Sequence, residues 1–138
     1  RGELDQAGVE VVSAGHPPAL LLRGDGIEEL PFGGPLLGAL ESSEWAIHRV
    51  DLRPGDQLVL YTDGVTDARG RQGRFGTRQL RARLTGVASP EATVARLETA
   101  LDGFVPGELT DDAAAVVVQR VVGTGAAARA AGFAQART

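Results

Sequence analysis

The sequence predicts an α+β protein, a layered antiparallel sheet with its helices grouped rather than interleaved. Three observations predict it. Short β-rich runs broken by Gly, Pro and Asp turns fill the chain up to Thr62, helical spacing of apolar residues begins only at Phe75, and a Val-rich run returns at Ala113. Helices that do not alternate with strands argue against a doubly wound parallel sheet.

Each element has its own signal. Gly8 to Ser13 reads as a strand that ends in a turn at Gly15-His16-Pro17-Pro18. Ala19 to Arg23 is an apolar strand, and Gly24-Asp25-Gly26 is a hairpin turn returning through Ile27 to Leu30. Gly33-Gly34-Pro35 is a loop by composition. Trp45 to Leu52 alternates imperfectly, as an edge or half-buried strand would. In Arg53-Pro54-Gly55-Asp56 the Pro sets φ and the Gly relieves the next position, so a turn precedes the buried strand Gln57 to Thr62. Phe75, Leu80 and Leu84 space a helix. Ser89 as N-cap and Pro90 at the first position start a second one, carried by Val94, Leu97, Leu101 and Phe104. Ala113 to Val122 is a last strand. Residues 1–122 are thus expected to form the domain. Residues 123–138, small and with almost nothing to bury, are expected to be a flexible Ala/Gly-rich tail.

Composition bounds the function. A chain of 138 residues with 43% hydrophobic residues suits one domain with a real core, and with 4% aromatics that core must be Val, Leu and Ala. A net charge of -4 leaves no basic footprint for nucleic acid. The absence of Cys excludes disulfides, thiolate metal sites and cysteine nucleophiles, and permits a cytoplasmic setting. No apolar run approaches the roughly 18 residues of a membrane span, and the start lacks a signal-peptide pattern. With no Met anywhere, the chain reads as cut from something longer.

Two acidic clusters sit where an apolar strand meets a turn. In Tyr61-Thr62-Asp63-Gly64-Val65-Thr66-Asp67, Asp63 emerges at the end of a buried strand, well placed to hold a hard cation. Alone, Asp63-Gly64 is better read as a turn. Thr110-Asp111-Asp112 directly precedes the final apolar run, and alone is better read as a charged loop. Together they carry more, because antiparallel neighbours can bring the two strand ends side by side. Mg²⁺ and Mn²⁺ prefer oxygen ligands, and two such ions held by Asp would suit phosphoester hydrolysis. His16 favours a structural role by about two to one, and His48 reads as incidental. Neither a nucleophile elbow nor a phosphate-gripping Gly-rich loop is present.

The order of motifs resembles a known family. Ser13-Ala14-Gly15-His16-Pro17-Pro18-Ala19, Gly34-Pro35-Leu36-Leu37-Gly38, Arg53-Pro54-Gly55-Asp56 through Tyr61-Thr62-Asp63-Gly64-Val65-Thr66-Asp67, Phe75-Gly76 and Asp111-Asp112-Ala113 follow the pattern of the bacterial SpoIIE-like branch of the PPM metal-dependent protein phosphatases. The resemblance implies an α-β-β-α sandwich with a binuclear Mn²⁺ or Mg²⁺ site. It implies a metal-activated water that attacks phosphoserine or phosphothreonine without a phosphoenzyme. By that match Asp63 and Asp111 are metal ligands, while Gly64 and His16 match without an assigned role. The substrates it implies are phosphoproteins such as anti-sigma-factor antagonists, often with a sensor domain upstream. The family's upstream strand, whose Asp bridges the metals, has no counterpart here. The N-terminal part of the sandwich is therefore expected to be missing, with apolar strands left exposed and metal bound poorly by this chain alone. Asp67 stands where Glu is usual and Ala114 where Thr is frequent. The alternative expectation is a non-catalytic PPM-like regulatory or interaction module.

Overall fold

A computed structural model describes residues 7–109, 111–122 and 128–135. The strands are β1 (Ala7–Val12), β2 (Leu20–Arg23), β3 (Gly26–Glu29), β4 (Ile47–Leu52), β5 (Gln57–Tyr61), β6 (Arg69–Gly70), β7 (Gly73–Arg74), β8 (Ala113–Arg120) and β9 (Ala128–Gln135). The helices are α1 (Asp63–Asp67), α2 (Gly76–Leu84) and α3 (Pro90–Phe104). A five-stranded antiparallel sheet runs in the order β3-β2-β5-β8-β9, β1 pairs with β4 in a second sheet, and β6 with β7 in a small hairpin.

Strand alternation divides the core in two. Val59, Tyr61, Ala113, Ala115 and Val117 face α2 and α3 and bury Leu80, Leu84, Val94, Leu97 and Leu101 beneath the helices. On the other face Leu21 and Leu58 pack with Val11, Val50 and Leu52 of the β1–β4 pair. The described residues therefore stack as helices, sheet and second sheet, the α+β layering expected. The small second sheet stops short of the cross-strand pair Leu60 and Val116, which stay 38% and 48% exposed. Val12 and Ile47, also opposite each other, are more exposed still.

Polar contacts anchor one end of the central strands. Asp56, in the turn before β5, is buried and accepts hydrogen bonds from Arg23 Nε at 2.9 Å and the Arg53 amide at 2.8 Å. Buried Gln57 and Gln119 lie opposite each other at the start of β5 and near the end of β8. Gln57 accepts from Thr93 Oγ1 of α3 at 2.7 Å and donates to Val87 O, while Gln119 donates to Gly55 O and Ala88 O. Ser89 caps α3 as expected, its Oγ accepting from the Ala92 amide at 3.2 Å.

The structure corrects the reading of the tail. Residues 128–135 form β9, paired along the full length of β8 from Ala113↔Gln135 to Arg120↔Ala128. Ala is a helix former, but the free edge of β8 offers partners to the backbone groups of this segment that face it, and with the burial of Ala131 and Phe133 that outweighs local propensity. Ala131 and Phe133 reach the core, and Gly132 lies so close that a Cβ would come within 2.8 Å of Ala115 O. Arg129 pairs with Glu91 and Gln135 with Asp102, tying β9 to α3. The remaining tail positions, 123–127 and 136–138, lie outside the described residues. The hairpin β6–β7 was not foreseen, because strands of two residues carry no periodicity.

Asp56→Ala is expected to lower stability by about 1–2 kcal/mol, since it leaves the Arg53 amide without its acceptor and Arg23 with Asp51 O alone. Chemical denaturation of the two proteins would measure the loss. Equal midpoints would show that water replaces the carboxylate fully.

Candidate functional site

The two acidic clusters meet at the end of the sheet opposite that anchor. β5 and β8 are antiparallel with Tyr61 opposite Ala115, so the end of β5 lies against the beginning of β8. Thr62 closes the junction. Its amide donates to Ala114 O at 3.0 Å, and its Oγ1 accepts from the Ala114 amide at 3.0 Å and donates to Asp112 O at 3.2 Å. Thr62 is also the N-cap of α1, yet its hydroxyl makes no capping bond because it is spent across the strands. Asp63 follows as the first residue of α1, where the sequence alone favoured a simple turn.

Gly64 explains how close the segments come. A Cβ there would lie 2.2 Å from Asp112 O and 3.2 Å from Ala113 Cα. Only a residue without a side chain lets α1 settle against the strand entry. The structure thus gives a role to a residue the sequence reading left unassigned. The available signal was the smallest residue directly after the acid, preceded by a hydroxyl.

Asp63 and Asp111 are brought to the same sheet end, and both are exposed. Asp111 Oδ1 accepts the Asp112 amide at 2.8 Å, which orients its loop, and Asp112 is exposed beside it. Thr110 lies outside the described residues. Next to this acidic end a cavity of about 340 Å³ opens between the two sheets, lined by His16, Val12, Leu60, Thr62, Ala114 and Val116 among others. His16 is exposed there, and its carbonyl accepts the Ser13 hydroxyl at 3.2 Å. Tyr61 turns its side chain to the helix face of the sheet, where burial pushes its phenol above the usual range. Asp67 is drawn off to Arg74 at 3.1 Å. His48 sits in β4 opposite Val11, with its Nε2 buried.

The donors are of the right kind for Mn²⁺ or Mg²⁺: exposed carboxylate oxygens on rigid strand ends, with no thiolate in the chain. Their number is smaller than such an ion takes. Among the described residues no group of three His, Cys, Asp or Glu side chains is placed to hold a metal. Asp63 and Asp111 therefore fit as part of a donor set.

Residues 2–121 match the sequence profile of the stage II sporulation protein E (SpoIIE) family. The chain belongs to that family. Protein IcfG of Synechocystis sp. is 31% identical over 122 residues, covering 86% of this chain and 19% of IcfG. The phosphatase domain of the cell fate determinant SpoIIE from Bacillus subtilis, presoaked with Mn, superimposes with a TM-score of 0.69 at 19% identity. That match covers 88% of this chain and 54% of the solved one. A second structure of the domain gives 0.68 at 18% identity and covers 56% of that chain. The chain thus spans about a fifth of IcfG and little more than half of each solved domain, and the shared fold is α+β with antiparallel sheets.

Gly64→Ala is expected to cost about 1–3 kcal/mol, because the added carbon has only backbone to push against. Gly103→Ala is the control: it lies in α3 with nothing within 4 Å of a Cβ, and should be neutral or gain up to about 1 kcal/mol. Thermal melts of both would decide. Equal behaviour would mean that α1 and the β8 entry are not pressed together.

Proposed function

We propose that this chain is the part of a metal-dependent protein phosphatase domain that supplies Asp63 and Asp111 as metal ligands. One observation carries the reading: the Thr62 and Gly64 contacts hold two exposed Asp residues at one sheet end. Family membership supports it. The remaining ligands come from outside the described residues. When bound, Mn²⁺ or Mg²⁺ would lower the pKa of a water and orient it for attack on phosphorus. This chain's own contribution is to fix two carboxylates on a rigid junction and to keep an apolar rim beside them. The substrate is a phosphoserine or phosphothreonine protein, a regulatory phosphoprotein such as an anti-sigma-factor antagonist. A sensor domain upstream and a cytoplasmic setting complete the reading. Among the described residues no helix is long and apolar enough to cross a membrane.

A second reading is favoured by one observation: with no third ligand among the described residues, the fold also suits a non-catalytic regulatory module.

The deciding experiment is Mn²⁺-dependent hydrolysis of p-nitrophenyl phosphate by the full-length protein carrying this domain. EDTA should abolish turnover. Asp63→Asn and Asp111→Asn should each lower it by on the order of 100-fold, since even the supports of metal ligands cost about 10–100-fold. Comparing phosphoserine, phosphothreonine and phosphotyrosine peptides tests the specificity. Activity that persists in EDTA or in Asp63→Asn would sink the assignment, and no turnover from a folded, Mn²⁺-supplied protein would select the regulatory module.

A further inference from the structure

Directly after α1 the charge reverses. Arg69, Arg71, Arg74, Arg78, Arg81 and Arg83 follow one another, and no Asp or Glu occurs between Asp67 and Glu91, in a chain whose net charge is -4. The hairpin β6–β7 carries the first of these. Arg69 lies directly opposite Arg74, a like-charge pairing that costs stability unless an anion offsets it. Arg74 is offset by Asp67 at 3.1 Å. Arg69 and Arg71 are exposed, and no hydrogen bond or ion pair joins either to another described residue. The hairpin beneath them is held firmly. Gly70 abuts Phe104, where a Cβ would be 2.6 Å from its carbonyl oxygen, the Phe75 amide donates to Ala68 O at 2.8 Å, and the Phe75 and Phe104 rings meet edge to face at 5.2 Å.

We infer that Arg69 and Arg71, on this hairpin beside the Asp63–Asp111 end, dock an acidic segment flanking the phosphorylated residue of a protein substrate. The inference deepens the phosphatase reading and rests on it for the phosphate. A short acidic protein segment fits better than nucleic acid. The cationic hairpin follows directly on α1, which carries Asp63 and Asp67 and packs against Asp112, and these acids repel a uniform polyanion but leave room for a few carboxylates. The single turn of α1 rises roughly 8 Å and two more residues reach Arg69, so at about 3.3 Å per residue the matching acids lie roughly three to five positions from the phosphoresidue.

The test is fluorescence anisotropy with the full chain in EDTA. The probes are a labelled phosphoserine peptide with Asp at those positions on both sides and its Asn-flanked counterpart. The chain should bind the acidic peptide about tenfold more tightly at low salt, and the preference should fade at about 0.5 M salt. R69E/R71E, checked for folding by its melt, should lose the preference, and R69K/R71K should keep most of it. Equal affinity for the two peptides, or an unchanged preference in R69E/R71E, would overturn the inference. So would tighter binding of a single-stranded RNA of equal length or of phosphatidylserine vesicles. The phosphatase reading is judged separately, by p-nitrophenyl phosphate turnover of the full-length protein with Mn²⁺. An acidic preference without turnover leaves the docking surface standing and removes the catalysis.

Discussion

The antiparallel register of β5 against β8 is the constraint on which the rest depends. Side chains alternate along a strand, so a slip of one residue would turn Val59, Tyr61 and Val117 away from the helices and put Leu60 and Val116 in their place. The same register decides what happens at the strand ends. Pairing Tyr61 with Ala115 leaves Asp63 two residues beyond the end of β5 and Asp111 two residues before the start of β8, on the same side of the molecule. The proximity of the acids is thus a consequence of sheet pairing, and no contact between the carboxylates themselves is needed to produce it.

The register is fastened at both ends by different chemistry. At the far end, buried Gln57 and Gln119 are satisfied by Thr93, Val87, Gly55 and Ala88, a network in which any shift would orphan amides in the core. At the acidic end, Thr62 bridges the strands through backbone groups of Asp112 and Ala114, and Gly64 permits the contact. Adjacent Asp residues repel one another, so they destabilise the junction they occupy. Neutral backbone bonds are well suited to hold such a junction, because they do not weaken when its charge state changes.

Most of the fold was legible because its signals are local. The Asp-Gly turn after Arg23, the Arg-Pro-Gly-Asp turn, and Ser89-Pro90 with its helical spacing each declare themselves within a few residues. β9 was not legible. Its Ala-rich stretch has no pattern of its own, and becomes a strand because β8 presents an open edge that sequence spacing cannot reveal. α1 was hidden for a related reason: five residues are too few for periodicity, and Asp-Gly says turn before it says helix. At the site, Asp63 and Asp111 could be paired as candidates from their position beside apolar strands. The parts played by Thr62 and Gly64 could not, since both act on backbone atoms about fifty residues away.

The placement of charge and apolar surface follows from the same geometry. Three kinds of surface converge where β5 ends: exposed carboxylates, a cavity of about 340 Å³ with largely aliphatic walls, and an arginine hairpin two residues beyond α1. Carboxylates alone would repel a phosphorylated protein, whose phosphate carries close to two negative charges. Cations bound among them can reverse that repulsion at the phosphate itself, but over no more than about a Debye length of 10 Å at 0.1 M salt. Charges further along such a partner need a countercharge of their own, and Arg69 and Arg71, joined to no other described residue by a hydrogen bond or ion pair, stand on the hairpin that follows the acidic turn.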